Sequence, residues 1–129
     1  MSGYKAVITG ASKGIGADLA VRLLDRGYKV IAIDRESTTL SHENLQLIEA
    51  DLLDPAAVAR VAGTLAADSG ITHLIHNAGL IWPNLLEDAS TEDIAGLAQL
   101  HLGSALQLMQ AVLPQMKAAN FGRVMFNSS

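Results

Sequence analysis

The chain has 129 residues, of which 50% are hydrophobic, 4% aromatic and 17% charged, with a formal net charge of −4. This length suffices for one domain with a modest core, the charge leaves no basic surface for nucleic acid, and no apolar run is long enough to span a membrane. There is no cysteine, which excludes disulfides and thiolate metal sites, and no hydrophobic signal core, so we expect residues 1–129 to form a single cytoplasmic domain.

The N-terminal part reads as a strand, a glycine-rich turn, a helix and a second strand. Ala6–Ile8 is a short, partly β-branched apolar run of the kind found in buried strands. Leucines then recur at helical spacing between Ile15 and Leu24. Gly27 predicts the end of that helix, because glycine enters the left-handed cap at little cost. Val30–Ile33 is predicted as the second strand, and Asp34 follows it.

Three glycines lie between the first strand and the helix, and each has a predicted physical role. Gly10 permits a sharp turn, the missing Cβ of Gly14 lets a pyrophosphate approach backbone amides, and Gly16 lets the helix pack closely on the strands. The amides and the positive dipole end at Ile15 favour an anion. Strand, glycine turn, helix, strand and acid together predict a dinucleotide site.

The acidic residue after the second strand indicates which dinucleotide is bound. Asp34 lies 18 residues beyond Gly16, where its carboxylate can accept hydrogen bonds from a ribose diol and would repel a 2′-phosphate. Lys13 and Arg35 act in the opposite direction, because either cation could pair with that phosphate. On balance the sequence favours NAD over NADP.

The middle of the chain continues the alternation of strands and helices. A third strand is predicted from Leu45 to Asp51, and Asp54 and Pro55 are typical of the N-cap and first position of a helix. A fourth strand is predicted over Thr72–Ile75.

Two histidines in this region, His73 and His76, lie three residues apart on a strand-like run. Their side chains should therefore face opposite sides of the sheet. We interpret neither as a metal ligand, and no metal site is predicted.

A long apolar helical pattern runs from Ile94 to Lys117. Ser90 and Asp93 indicate a capping box at its start, and a bend or break is expected near Gly96 or Gly103. Because so much of this helix is apolar, it should be buried on more than one side, with one side on the sheet and the other on a second partner.

Two motifs resemble the short-chain dehydrogenase/reductase family: Thr-Gly-x-x-x-Gly-Ile-Gly, which begins at Thr9, and Asn-Ala-Gly, which begins at Asn77. The resemblance implies a Rossmann-type, doubly wound α/β fold with about five parallel strands in the order 3-2-1-4-5 and helices on both faces. It implies that Asp51-Leu52 contacts the adenine and that Asn77 and Gly79 line the cofactor cleft. The cofactor residues so indicated are Gly10, Ser12, Lys13, Gly14, Ile15, Gly16, Asp34, Arg35, Asp51, Leu52, Asn77, Ala78 and Gly79.

The resemblance also bears on catalysis. The segment from Gly122 to Ser129 resembles the family's Gly-Arg-x-x-x-x-Ser-Ser, which makes Ser129 the catalytic serine, and His101 stands at the position of an Asn that supports the catalytic Lys and a proton-relay water in relatives. In relatives a Tyr-x-x-x-Lys motif follows the serine, and this sequence lacks it. We therefore expect a C-terminally truncated, cofactor-binding portion of the family fold that is inactive alone.

The resemblance implies an NAD(P)-dependent oxidoreductase that moves hydride between nicotinamide and a small alcohol or carbonyl substrate. An alternative is a non-catalytic nucleotide-binding or self-associating module on the same fold. A methyltransferase is disfavoured, because Thr9, not an acidic residue, precedes Gly10. The predicted fifth strand, Arg123–Asn127, would be an apolar sheet edge, and together with the apolar helix flank it predicts a homo-oligomer.

Overall fold

The computed structural model describes residues 3–79 and 85–127, and its centre is a parallel β-sheet. The strands are β1 Lys5–Thr9, β2 Lys29–Asp34, β3 Leu45–Glu49, β4 His73–His76 and β5 Arg123–Phe126. They are aligned in the order β3-β2-β1-β4-β5, and every neighbouring pair is parallel, so the predicted order 3-2-1-4-5 is confirmed. The third strand ends at Glu49 instead of Asp51, and the fourth begins at His73 instead of Thr72.

Helices connect the strands and cover both faces of the sheet. A π-helical turn, Gln99–Gly103, interrupts the long C-terminal helix, which confirms the expected break near Gly103. None of the described helices is long and apolar enough to cross a lipid bilayer. The helices are α1 Gly14–Asp25, α2 Pro55–Ala66, α3 Thr91–Ala98 and α4 Ser104–Ala118, with a short 3₁₀ turn at Leu86–Asp88.

Alternate residues of the central strands point to opposite faces of the sheet and belong to two separate hydrophobic cores. Val7 and Leu74 point to the side where α2 and α4 pack, together with Val58 and Leu108 of those helices. The other face carries the neighbouring strand residue Ile8, which packs with α1. Because strand side chains alternate between faces, the near-continuous apolar runs of β1 and β2 are buried on both sides.

Local sequence signals set the helix ends as predicted. The Asp54 carboxylate accepts a hydrogen bond from the Ala56 amide at 3.0 Å, and Ser90 and Asp93 form the expected capping box. Gly27 follows α1 with φ +85°, a left-handed conformation that favours glycine. Each cap satisfies backbone groups that a helix end leaves without partners.

The two histidines of β4 face opposite sides of the sheet, as predicted. The His73 ring contacts the rings of Tyr4, Tyr28 and Phe121 at the amino ends of the strands. The His76 ring instead points to the side of α4, where it meets the Leu100 carbonyl oxygen.

The far flank of α4 is not covered in the single chain. Leu102 in the π-helical turn is 71% exposed, and Leu106 and Leu113 on α4 are 52% and 44% exposed. Ile94 begins the helical pattern that was expected to be buried on more than one side, but it is 66% exposed, so that part of the prediction is wrong. The long helix is thus buried on the sheet side only, and the neighbouring strand β5 is also exposed along its length.

The side chain of Gln115 on α4 hydrogen-bonds to α2 and to the segment before β4. Its amide nitrogen donates to the Leu65 carbonyl oxygen at the end of α2, and its amide oxygen accepts from the Ile71 backbone amide, both at 3.0 Å. Leu65 and Ile71 are buried. The Leu65 carbonyl oxygen also accepts from the Asp68 amide at 3.1 Å, so the Ile71 amide depends on Gln115 more than the carbonyl does.

We expect Gln115→Ala to lower the free energy of unfolding by about 1 kcal/mol or more, because the Ile71 amide loses its partner while the Leu65 carbonyl keeps only the hydrogen bond from the Asp68 amide. Urea denaturation at neutral pH measures the change. The matched control is Gln110→Ala, which removes an exposed glutamine from the same helix and should change the free energy by less than about 0.5 kcal/mol. Equal midpoints for the two variants would contradict the role assigned to Gln115.

Candidate functional site

A cleft of about 260 Å³ opens at the carboxyl edge of the sheet. It lies where the strand order reverses, since β1 is followed by β2 on one side of it and by β4 on the other. In open α/β sheets, ligands bind at this kind of switch point. Nine predicted cofactor residues line the cleft: Gly10, Lys13, Asp34, Arg35, Asp51, Leu52, Asn77, Ala78 and Gly79.

The turn after β1 is packed so tightly that two of its positions require glycine. Gly10 has φ +68°, and a Cβ there would lie 2.8 Å from the Ala78 Cα. A Cβ on Gly16 would overlap the Gly10 carbonyl oxygen and lie 2.6 Å from the Asn77 side-chain nitrogen. The start of α1 is therefore pressed against the loops that follow β1 and β4.

The third glycine of the turn faces open space instead. Gly14 has φ +60°, and a Cβ there would meet nothing within 4 Å. Lys13, the N-cap of α1, makes no side-chain capping hydrogen bond, and Ile15 is 61% exposed. The positive end of the α1 dipole thus points to an accessible surface.

The carboxylate of Asp34 is held by backbone amides at the rim of this cleft. One oxygen accepts from the Ser12 amide and the other from the Glu36 amide, both at 3.0 Å. Partial burial alone would raise the pKa of Asp34, but the hydrogen bonds from the backbone of Glu36, Ser12 and Arg35 outweigh it and hold the pKa below its usual value. Asp34 is therefore a carboxylate throughout the neutral pH range.

Glu36 is a member of the cleft lining that the sequence analysis missed. Its carboxylate lies 3.5 Å from the Lys13 ammonium and 4.0 Å from the Arg35 guanidinium. The two cations beside Asp34 therefore share one acidic partner. The only signal in the sequence for this pairing is that Glu36 lies two residues after Asp34.

The loop after β3 supplies the opposite wall of the cleft. Asp51 is exposed, and its carboxylate accepts a hydrogen bond from the Leu53 amide at 3.0 Å. Leu52 is only 4% exposed and belongs to the core beneath α2. Asp51 therefore presents a polar surface to the cleft, while Leu52 fixes the loop to the core.

The loops after β1 and β4 are joined by a compact hydrogen-bond network. The Thr9 hydroxyl oxygen accepts from the backbone amides of Asn77 and Ala78, each at 3.0 Å, and also contacts the His76 Nδ1 at 3.0 Å. The Asn77 side chain donates to the Gly10 carbonyl oxygen at 3.1 Å. These bonds place Asn77, Ala78 and Gly79 beside the glycine turn.

Of the two residues predicted for catalysis, the structure describes only His101. His101 lies in the π-helical turn against Gly79, where a Cβ would be 2.9 Å from the His101 Cε1. Ser129 falls outside the described residues, so its position stays a prediction. Among residues 3–79 and 85–127, no group of three or more acidic or histidine side chains is arranged to hold a metal ion.

Comparisons with known proteins agree with this architecture. A benzil reductase ((S)-benzoin forming) of Bacillus subtilis is 35% identical over 111 residues, which cover 81% of this chain and 45% of that protein. The solved short-chain dehydrogenase of Streptomyces avermitilis superimposes with a TM-score of 0.88 at 28% identity, covering 98% of this chain and 49% of that one. A short-chain dehydrogenase of Sphingobium yanoikuyae, solved in complex with NADPH, gives 0.83 at 28% identity, with coverages of 95% and 52%.

The chain spans about half the length of the curated relatives it matches. The family model described as short chain dehydrogenase matches residues 4–129. Since this match includes the glycine turn, all five strands and the Asn-Ala-Gly loop, the chain belongs to the short-chain dehydrogenase family.

Proposed function

We propose that this chain binds NAD in the cleft at the carboxyl edge of the sheet and is the cofactor-binding portion of an oxidoreductase. The observation that carries the proposal is the Asp34 carboxylate, fixed by two backbone amides at the rim of that cleft. A carboxylate in this place selects for a ribose diol at the end of the glycine turn.

The start of α1 fits a pyrophosphate. The open space beside Gly14 allows an anion to approach the backbone without meeting a side chain. The amides of the first helical turn and the helix dipole would then hold the negative charge.

Asp34 retains hydrogen-bonding capacity for a ribose. Each carboxylate oxygen can accept about two hydrogen bonds. The amides of Ser12 and Glu36 use one on each oxygen, and the Arg35 backbone interacts more weakly than either. The remaining lone pairs can accept from two ribose hydroxyls. Because the carboxylate is already oriented by the chain, binding costs little side-chain entropy.

The charges around Asp34 favour NAD over NADP. Glu36 is paired with both nearby cations, Lys13 and Arg35, which weakens their attraction for a 2′-phosphate. Membership of the family does not decide the choice, since the Sphingobium relative was solved with NADPH. The preference for NAD therefore depends on Asp34 and Glu36 of this chain.

We expect the chain to bind NADH more tightly than NADPH, and Asp34→Asn to shift the ratio of the two affinities toward NADPH by about tenfold or more, equivalent to about 1.4 kcal/mol. The substitution removes the charge that repels the 2′-phosphate and leaves Lys13 and Arg35 in place. Isothermal titration calorimetry with each cofactor measures both affinities.

The same titrations separate a local effect from an effect of net charge. Glu36→Gln should also favour NADPH, because it releases both cations, whereas Glu43→Gln makes the same change of charge in the loop before β3 and should not. A folded chain that gave no heat and no melting shift with either cofactor would refute the proposed function.

The proposed reaction of the whole protein is hydride transfer to or from a small alcohol or carbonyl compound. Bound nicotinamide supplies the hydride donor or acceptor, and Ser129 would hydrogen-bond the substrate oxygen. His101, beside Gly79, lies near enough to this loop to take part in orienting groups at the cleft.

A proton donor of the tyrosine type is not available at the cleft from these 129 residues. The only tyrosines, Tyr4 and Tyr28, lie before β1 and β2 and contact each other at the amino ends of those strands. A strand of this length separates them from the carboxyl edge by about 15 Å. Turnover by this chain alone is therefore not expected.

We predict that the chain binds NADH but does not oxidise it measurably with a panel of aldehydes and ketones. The reason is the missing proton donor, and the measurement is NADH absorbance over time. Ser129→Ala is the matched control. Oxidation by the wild-type chain above the rate of that variant would contradict the prediction and would exclude the non-catalytic alternative.

We also propose that the chain associates with a second copy through the exposed flank of α4. Leu106 and Leu113 on α4 and Leu102 in the preceding turn form an exposed apolar surface. Contact with a second copy would bury this surface. Strand β5 lies at the end of the sheet and exposes Met125 and Phe126 beside its unpaired edge.

We expect sedimentation velocity at micromolar concentration to show a dimer or larger species. Leu106→Gln should shift the distribution toward monomer, because it places a polar group in the buried contact. Val21→Gln, a similar change at a 38% exposed residue on α1, should leave association unchanged. A monomeric wild-type chain would overturn this part of the proposal.

A further inference from the structure

His76 is a buried polar residue directly beneath the cofactor cleft. Its side chain is enclosed between β1 and the π-helical turn, and the residue is only 4% exposed. Its Nδ1 lies 3.0 Å from the Thr9 hydroxyl, and its Nε2 lies 3.1 Å from the Leu100 carbonyl oxygen. Both ring nitrogens therefore have a partner in the protein.

Counting donors and acceptors assigns a single tautomer to this ring. The Thr9 oxygen accepts hydrogen bonds from the amides of Asn77 and Ala78, which occupies both of its lone pairs. Its own proton is then free only for the His76 Nδ1. Since Nδ1 accepts, the ring proton lies on Nε2 and is donated to the Leu100 carbonyl.

These bonds connect two segments of the cleft that are far apart in sequence. Thr9 clamps the loop of Asn77 and Ala78, and Leu100 itself lines the cleft, one residue before His101. The His76 ring is the link between the clamp and the π-helical turn. Without it, the Thr9 hydroxyl would lose the acceptor that directs its proton away from the two amides.

We propose that His76 is a positioning residue of the cofactor cleft, which holds the Asn77–Gly79 loop against the glycine turn only while its imidazole is neutral. The importance of this for the cofactor rests on the proposed NAD site, but the hydrogen-bond arrangement does not. A protonated ring would point an N–H at Thr9, whose oxygen would then have to give up one of the two loop amides.

The surroundings of His76 disfavour its charged form. Burial is the main cause that lowers the pKa of His76; the hydrogen bond to the Leu100 carbonyl acts in the opposite direction, and His101 lowers the pKa further. The side chain of Thr9 on β1 is neutral, and β5 contributes the ring of Phe126, whose centre is 6.2 Å away. Across the cleft, Asp34 stays ionised because its own pKa is lowered.

The pH dependence follows from the direction of this shift. With the pKa lowered in the folded protein, the loop arrangement is intact above about pH 6.5, the ordinary value for histidine, and is lost as the pH falls through the pKa of the folded state. Affinity for NADH should fall in the same window.

The first test is an NMR titration of the free chain. The ¹⁵N shifts of the ring should show the Nε2–H tautomer near neutral pH, and the backbone amides of Asn77 and Ala78 should titrate together with His76. An Nδ1–H tautomer, or loop amides that ignore the protonation of His76, would overturn the inference whether or not the chain binds NADH.

The second test is the affinity for NADH at about pH 7.5 and about pH 5.5, on either side of the ordinary histidine pKa. We expect the wild-type dissociation constant to rise measurably at the lower pH, by less than about tenfold, because the pKa of His76 lies below its ordinary value and only some of the rings are protonated at about pH 5.5. His76→Gln can accept from Thr9 and donate to Leu100, so it should bind within about threefold of wild type at the higher pH and lose this dependence. His76→Leu, which can do neither, should bind about tenfold more weakly at both pH values.

The control for this test is His73→Gln. His73 lies on the same strand and its pKa is also lowered, by burial and by Arg123, but it faces the other side of the sheet. This variant should keep the wild-type pH dependence of binding. If His76→Gln retains that dependence as fully as His73→Gln does, His76 is not its source and the inference fails. No NADH binding at any pH would instead refute the proposed function, while the NMR titration still decides the role of His76.

Discussion

The candidate site depends on one short-range contact, the Thr9 hydroxyl against the amides that follow β4. Parallel strands β1 and β4 bring their carboxyl ends to the same edge, but this pairing alone leaves the loops free to diverge. Thr9 binds both the Asn77 and the Ala78 amide, and Asn77 returns a hydrogen bond to the Gly10 carbonyl. With donors satisfied on both sides, the two loops form one partly buried seam, in which loss of a hydrogen-bond partner would be costly.

This seam explains why the three glycines of the turn serve different purposes. Ala78 approaches Gly10, and Asn77 approaches Gly16, so closely that any side chain at either position would collide with the seam. Gly14 has no such neighbour, and its positive φ turns the chain while leaving its surroundings open. The turn is therefore crowded at Gly10 and Gly16 and open at Gly14, an arrangement suited to an anion that must reach backbone amides.

The sequence predicted the parts of this structure that depend on local pattern. Apolar runs located the strands, Asp54 and Gly27 marked helix ends, and the resemblance to relatives supplied the sheet order. Contacts that join distant segments could not be read in this way. The pairing of His76 with Leu100 spans 24 residues and depends on how a π-helical turn presents one carbonyl. The pairing of Glu36 with Lys13 and the exposure of Ile94 likewise depend on packing that periodicity does not encode.

Asp34 and His76 are held in their charge states by opposite effects of the surrounding protein. At Asp34, backbone amides stabilise the charged form enough to overcome partial burial, so the carboxylate persists well into the acidic range. At His76, burial and His101 outweigh the Leu100 carbonyl, so the neutral ring persists at neutral pH. Both settings coexist above about pH 6.5, near the ordinary histidine pKa, and acidification below that value protonates the His76 ring while Asp34 stays ionised. A loss of cofactor affinity in that interval would therefore arise beneath the Asn77–Gly79 loop and not at the ribose end of the cleft.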